Sequence, residues 1–235
     1  MKLDLFQVLQ QARANKQRAA MVTDLGSGEQ ALVAGTQILG ALDLGAEALA
    51  ALEDAFAKDR SGAVEIGNTR LFLHIYNPPR RMMLVGAVHI SQVLAPMAAM
   101  AGYAVQVIDP RTAWATEARF PGVTLDPRWP DEAMAALAPD RRTAVITLTH
   151  DPKLDDPALS AAIRSPAFYI GALGSRKTHA KRIERLTALG HSPEEIARVR
   201  GPVGLAIGAV SPAEIAISIL AEVTQILHAP PGGRS

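Results

Sequence analysis

The sequence predicts an α/β fold: a doubly wound parallel sheet with a smaller N-terminal α+β domain. Three observations carry that prediction. Beyond Arg80, short apolar segments alternate with segments of helical periodicity. Those short segments are apolar at consecutive positions, Met82 to Val85 among them, so both faces call for burial, as in a parallel sheet covered by helices on two sides. At 235 residues, 49% of them hydrophobic and 20% charged, the chain is long and apolar enough for one large core or two modest ones.

The elements follow in order. Leu5, Val8, Leu9 and Ala12 fall at helical spacing, and a helix is predicted from Leu3 to about Ala20. Ala20-Met21-Val22 and Ala31 to Ala34 read as weak strands about the Gly26-Ser27-Gly28 turn. Gly45 to Lys58, rich in Ala, Leu and Glu, reads as a helix. Val64 to Ile66 and Arg70 to Tyr76 read as strands joined at Gly67-Asn68. Asn77-Pro78-Pro79 is a stop, so residues 1–79 are expected to form the small domain.

Residues 80–228 are expected to form the second domain. Its predicted strands are Met82–Val85, Ala104–Ile108, Thr143–Leu148 and Ala167–Leu173. Between and after them, helices are predicted at Val88–Ala101, Asp131–Leu137, Asp155–Ile163, Arg176–Ala188, Pro193–Val199 and Pro212–His228. Ser192-Pro193-Glu194-Glu195 and Ser211-Pro212-Ala213-Glu214 each place Ser at N-cap, Pro at N1 and Glu at N3, a capping box with a structural purpose. The stretch containing Pro121, Pro127 and Pro130 is expected to be irregular, and residues 229–235 a disordered tail.

Composition removes several functions. With no cysteine, disulfides, thiolate metal ligands, iron–sulfur clusters, a cysteine nucleophile and persulfide carriage are excluded. Lys plus Arg number 24 against 23 Asp plus Glu, which argues against a nucleic-acid-binding role for the whole chain. No His-x-x-x-His spacing occurs among the six histidines, so no protein-only metal site is expected. There is no Gly-x-Ser-x-Gly elbow to support hydrolase chemistry. The start, Met1-Lys2-Leu3-Asp4, lacks a signal-peptide core, and no apolar run reaches the ~18–20 residues of a membrane span. A cytoplasmic protein with no membrane association is the expectation.

In an open parallel sheet, ligands bind beyond the carboxyl ends of the strands. Four polar clusters fall there and are expected to converge on one crevice. The first turn, Gly86 to Ser91 with His89 inside it, is a damaged dinucleotide fingerprint: Val88 and Ser91 replace the second and third glycines. Val88 disfavours NAD(P) because a β-branched side chain stands where a phosphate would lie, although the helix start still offers amides to an anion. Asp109, 23 positions beyond Gly86, is placed either as the acid that reads a ribose or as a turn residue before Pro110. Arg111 is placed to meet a phosphate or to be solvated.

Thr149-His150-Asp151 follows a buried strand; His150 and Asp151 are the catalytic candidates, since a histidine there titrates near neutrality beside a carboxylate. Gly171-Ala-Leu-Gly174-Ser175-Arg176-Lys177-Thr178 nearly matches a phosphate loop, with Arg176 in place of the second glycine. It supplies a turn, a helix start and the cations Arg176, Lys177, Lys181 and Arg182, which suit a phosphate or form a solvated basic face.

Taken in order, these motifs resemble the XdhC/CoxI family. The resemblance is carried by Gly86 to Pro96 with Tyr103 to Arg111, by Thr149-His150-Asp151, by Tyr169 to Lys177, and by Gly201-Pro202-Val203-Gly204-Leu205-Ala206-Ile207-Gly208 continuing from Ser211 to Glu222. It spans roughly Arg80 to Leu227 and implies a Rossmann-like fold. It also implies an accessory factor for a molybdenum hydroxylase of the xanthine dehydrogenase or carbon monoxide dehydrogenase type. Such a factor binds molybdenum cofactor (molybdopterin), protects it during sulfuration and delivers it to the apo-enzyme, and is not itself expected to be an enzyme. Partners implied are the large subunit of the hydroxylase, a cysteine desulfurase and a second copy in a homodimer.

Gly86, His89, Asp109, Arg111, Thr149, His150, Gly174, Ser175, Arg176, Lys177 and Gly208 are the residues expected at the cofactor. The chain departs from the family at Val88, where Gly is usual, at Ser91 for Ala, at Ala206 for Asp, and in having no Gly-Gly-Cys segment. An NAD(P)-dependent oxidoreductase and a ligand-free interaction module are the alternatives.

Overall fold

The computed structural model describes residues 3–229. The expected tail from residue 230 onward lies outside the described residues. The chain divides into two compact units, Met1–Pro78 and Pro79–Ser235.

The first unit contains α1 (Leu3–Ala14), β1 (Ala19–Asp24), β2 (Gln30–Ala34), β3 (Gln37–Gly40), α2 (Ala46–Lys58), β4 (Gly62–Ile66) and β5 (Thr69–Tyr76). Its sheet is antiparallel, in the order β3-β2-β1-β5-β4. The apolar runs of β1 and β2 have a simple cause. Leu5, Leu9 and Ala12 of α1 pack on Ala19, Met21, Leu32 and Ala34, while Leu52 and Phe56 of α2 pack on Ala20, Val22, Ala31 and Val33. A helix on each face demands an apolar residue at every position, and alternation disappears. The first helix ends six residues short of the predicted Ala20, because Ala19 and Ala20 are fully buried in β1.

The second unit contains β6 (Arg80–Val85), α3 (His89–Met100), β7 (Tyr103–Ile108), β8 (Thr124–Asp126), α4 (Pro130–Leu137), β9 (Thr143–Thr147), α5 (Pro152–Arg164), β10 (Tyr169–Ala172), α6 (Arg176–Ala188), α7 (Pro193–Ile196), β11 (Val199–Arg200) and α8 (Pro212–His228). Every strand pairing among the described residues of this unit is parallel, and the order is β11-β10-β9-β6-β7-β8. The chain therefore starts in the middle, winds outward to β8, then crosses back to β9 and winds to the other edge. This is the doubly wound Rossmann order, with its switch point between β6 and β9.

Alternate residues of β6 feed two cores. Met82 and Leu84 pack with Leu94, Ala95 and Ala98 of α3 and Ala216, Ile219 and Val223 of α8. Met83 and Val85 pack with Met134 of α4, Leu159 and Ile163 of α5 and Leu186 of α6. Both capping boxes form, at Ser192/Glu195 and Ser211/Glu214.

Three predicted boundaries move. The irregular proline-rich stretch contains β8, which closes one edge of the sheet. The helix predicted to Val199 stops at Ile196. Arg198 then donates to the carbonyls of Ile163, Ser165 and Ala167, and Val199–Arg200 pairs with β10. The helix predicted from Asp155 starts at Pro152, with Asp151 as its N-cap accepting from the Lys153 amide at 3.0 Å.

Candidate functional site

The switch point places the β6–α3 turn beside the β9–α5 turn, with the end of β7 on one side and the β10–α6 turn on the other. Gly86 adopts φ +113, and a Cβ there would lie 2.5 Å from Thr149 Cγ2. Only glycine allows both the backbone angle and the close approach of these two turns. Ser91, fully buried, turns its hydroxyl onto the Gly86 carbonyl, a bond that the usual Ala could not make.

Asp109 is fully buried at the end of β7. Its Oδ2 accepts from the Ala87 amide at 2.7 Å and from Arg111 Nη2 at 2.7 Å; its Oδ1 accepts from the Arg111 amide and Nε, each at 2.9 Å. Burial alone would raise its pKa, but these donors outweigh it and hold the carboxyl below the ordinary 3.8. A carboxylate offers about four lone-pair sites, and all are taken. Of the two placements open to Asp109, these contacts are those of a turn residue: the side chain faces inward and fastens Arg111 to the Gly86 turn. Arg119 fastens the same turn from outside. Its Nη1 donates to the Ala87 carbonyl at 3.0 Å and to the Trp114 carbonyl at 2.7 Å, and its Nη2 donates to Gln92 Oε1 at 3.0 Å.

On the other side of the switch point, buried Asp155 accepts from the Thr149 hydroxyl at 2.7 Å and the His150 amide at 3.1 Å. These bonds, with Asp151 N–H donating to Thr149 Oγ1 at 3.0 Å, hold His150 at φ +66. Desolvation dominates at Asp155 and raises its pKa, against the Thr149 hydroxyl and the charge of Arg182. The imidazole of His150 is exposed and forms no hydrogen bond among the described residues.

Gly174, at φ +143, lets the β10–α6 turn pass over Thr178, and Ser175 caps α6 by accepting from the Thr178 amide at 3.1 Å. Arg176 and Lys177 are exposed and make no ion pair among the described residues. The expectation for Arg182 is corrected. Its sequence position groups it with the exposed cations, yet it is 1% exposed; its Nη2 donates to the Leu173 carbonyl at 2.7 Å, and its Nε has no hydrogen-bond partner. It supports the turn from beneath instead of facing solvent.

Contacts thus bring Gly86 to Thr149, Ala87 to Asp109 and Arg111, and Thr149 and His150 to Asp155. His89 starts α3 with its side chain exposed, and Gly208, at φ +77, sits in the exposed loop before α8; no described contact ties either to the others. That loop has its own anchor. Glu222 Oε2 accepts from the Tyr169 hydroxyl at 2.5 Å and the Gly204 amide at 2.8 Å, with Arg200 at 3.5 Å from Oε1. Burial, then the Glu222 charge, pushes the Tyr169 phenol far above its ordinary 10.0, so the tyrosine remains the donor. Sequence reasoning does not single out Asp155, Arg119 or Glu222 as structural anchors. The available signal is a charged residue that directly follows and precedes apolar ones in a helix, as Glu222 does after Ile219-Leu220-Ala221 and before Val223.

No cluster of three or more His, Asp or Glu among the described residues is placed to hold a metal ion, and no described helix is long and apolar enough to cross a membrane.

Comparison with known proteins agrees with this architecture. Residues 82–223 match the model of the XdhC Rossmann domain. The chain is 36% identical over 154 residues to the molybdenum cofactor insertion chaperone PaoD of Escherichia coli K12, covering 65% of this chain and 42% of that protein. It is 34% identical over 158 residues to a probable xanthine dehydrogenase subunit of Bacillus subtilis 168, covering 67% of this chain and 46% of that one. The chain thus spans under half the length of these curated relatives. A crystal structure of a Bacillus halodurans protein described as a xanthine dehydrogenase superposes with a TM-score of 0.74 at 24% identity, covering 96% of this chain and 68% of that one, and shows the shared fold. With a matched Rossmann domain that occupies most of the second unit, the chain belongs to the XdhC family.

Proposed function

We propose that this protein is a maturation factor for a molybdenum hydroxylase of the xanthine dehydrogenase or carbon monoxide dehydrogenase type. In this reading it holds molybdenum cofactor by its pterin phosphate at the switch-point crevice and delivers it to the large subunit of the apo-enzyme. The observation that carries the reading is the start of α6: Arg176 and Lys177 are exposed and free of ion pairs among the described residues, on a turn built by Gly174 and Ser175. A helix start with two unpaired cations suits a phosphate. The similarity to a protein named as a molybdenum cofactor insertion chaperone supports the same reading.

The donor set fits the organic part of the cofactor. Arg176, Lys177 and the first amides of α6 would hold the phosphate, with Thr149 and His150 facing the rest of the ligand. The chain has no cysteine to bring to molybdenum, so the pterin dithiolene would keep the metal, and the cofactor supplies its oxidation–reduction chemistry only in the client enzyme. A cysteine desulfurase as a second partner, a homodimeric state and a cytoplasmic location belong to the same proposal. An NAD(P)-dependent reaction has less support, because Asp109 has no oxygen left for a ribose hydroxyl.

The test is retention of freshly released cofactor by the purified protein through gel filtration, read as molybdenum by mass spectrometry and as fluorescent oxidised pterin. The wild-type protein is expected to retain both, and Arg176→Ala with Lys177→Ala to lose most of that retention while melting at the same temperature. Absence of both signals from the wild-type fraction, with no gain of activity by the apo-enzyme, overturns the reading.

A further inference from the structure

The end of β7 carries a specificity device separate from the phosphate loop. We propose that Arg111, held on the buried Asp109, makes the β7 end of the crevice a receptor for a terminal phosphate group, where a ribose diol would otherwise bind. This deepens the maturation reading and rests on the crevice receiving a phosphorylated ligand.

The supply of donors and acceptors decides what can bind there. At the end of the second strand of a Rossmann domain, here β7, an acid commonly accepts from ribose hydroxyls. Asp109 occupies that position, but its four acceptor sites are filled by Ala87 and Arg111, so a diol arriving there finds no acceptor. Arginine has five N–H donors, and two of them, on Nε and Nη2, serve Asp109. Three remain, on a guanidinium whose side chain is 39% exposed. The surplus has changed sign: donors are on offer where acceptors were expected, and a phosphate is the group that takes several donors in one plane.

Arg111 is also fixed in place before any ligand arrives. Its backbone amide donates to the same carboxylate, and its guanidinium carbon lies 5.6 Å from the centre of the Trp114 ring, which Arg119 flanks at 5.5 Å. The ordering cost of a long side chain is thereby met on folding and not on binding. Hydrogen bonds to Asp109 favour the charged form of Arg111, and because the same carboxylate accepts from the Ala87 amide, Arg111 is held beside the β6–α3 turn at the switch point. Because the pair with Asp109 is net neutral, recognition is directional more than long-range, and binding is expected to weaken only mildly with salt.

The molecule contains its own control. Asp126-Pro127-Arg128 at the end of β8 repeats the tripeptide Asp109-Pro110-Arg111, and Arg128 is clasped by Asp126 through its amide, Nε and Nη2 in the same pattern. Asp126, however, accepts from nothing in the β6–α3 turn, and the further charge acting on Arg128 is that of Glu132 on α4. Arg128 has the same local device on the edge strand, away from the switch point.

The chain has two tryptophans, Trp114 near Arg111 and Trp129 adjacent to Arg128, so in Trp129→Phe protein the intrinsic fluorescence reports on the Arg111 end alone. That protein is titrated with 2′,5′-ADP and with 5′-AMP, which differ in a phosphate against a free diol. The proposal expects 2′,5′-ADP to bind at least ~10-fold more tightly, the worth of a charge-assisted pair of hydrogen bonds. Arg111→Gln is expected to abolish the preference and Arg128→Gln to keep it. Should Arg111→Gln melt early, Arg111→Lys keeps the charge without the fork and is expected to lose most of the preference.

Equal binding of the two nucleotides, no saturable signal from 2′,5′-ADP, or a preference that survives in Arg111→Gln overturns the proposal. Molybdopterin, whose one phosphate the maturation reading places at the start of α6, is then added to the 2′,5′-ADP complex: co-occupancy marks a nucleotide phosphate as the Arg111 ligand, and displacement marks the pterin phosphate at Arg111 and overturns its placement at α6. Cofactor retention without the nucleotide preference would sink this proposal and leave the maturation reading standing; the preference without cofactor retention would do the reverse.

Discussion

Two buried aspartates flank the switch point and have opposite chemistry. Asp109, on the β7 side, collects four hydrogen bonds, two of them from a partly exposed guanidinium, and is held as a carboxylate. Asp155, on the β9 side, receives a hydroxyl and an amide, while Arg182, whose charge acts on it, spends its Nη2 on the Leu173 carbonyl. Desolvation then prevails, and the carboxyl resists ionisation. Burial is shared by both; the number of donors that reach each oxygen separates them.

The largest expected effect comes from removing the better-served carboxylate. Asp109→Ala leaves the Ala87 amide and Arg111 without their acceptor and is expected to cost about 2–4 kcal/mol in urea unfolding, discounted because Arg111 keeps contact with water. A loss under about 1 kcal/mol would mean that the β6–α3 turn does not depend on Asp109.

Next is Gly86→Ala, which meets Thr149 Cγ2 and an unfavourable φ and is expected to cost about 2 kcal/mol. Thr149→Ser removes the colliding methyl but keeps the hydroxyl bond to Asp155, so in a double-mutant cycle it is expected to recover part of that loss. Strict additivity would show that the two turns do not meet as described.

The aspartates also predict opposite pH responses. Asp109, with its pKa lowered on folding, contributes stability that is present above the unfolded value of 3.8 and is lost as pH falls through its folded pKa. Asp155, with its pKa raised, contributes fully below 3.8 and loses its contribution as pH rises through its folded pKa. Unfolding free energies measured across pH should therefore show the wild-type advantage over Asp109→Asn growing with pH and that over Asp155→Asn shrinking. Slopes of the same sign would remove the contrast. The smallest effect belongs to the surface: Arg176→Ala with Lys177→Ala should change stability by less than about 0.5 kcal/mol.

The same contrast explains what could be read in advance. Met82 to Val85 shows consecutive apolar residues, as a strand covered on both faces requires, and the alternation of such runs with helical segments beyond Arg80 made the doubly wound fold legible. Gly86, Thr149 and Gly174 were legible as turn chemistry at strand ends. The direction in which a charged side chain turns was not. Arg182 looks like its neighbours Lys181 and Arg176 in the sequence, and only the packing of α6 shows that it faces inward. Asp109 stands where the sequence places it along the chain, but its acceptor count depends on Ala87, 22 residues away. Short edge strands escaped for another reason: β8 and β11 are set by pairing with a neighbour, and a two- or three-residue strand has no periodicity to detect.

Glu222 makes the shape of a loop depend on a helix from the far end of the chain. It lies two-thirds of the way along α8, the last described helix, yet it is the acceptor that bends the Gly201–Gly208 loop onto Tyr169. That loop holds this shape only with the helix behind it packed against α3. A chain with a loosened C-terminal helix would keep its sheet while losing the contour of this loop.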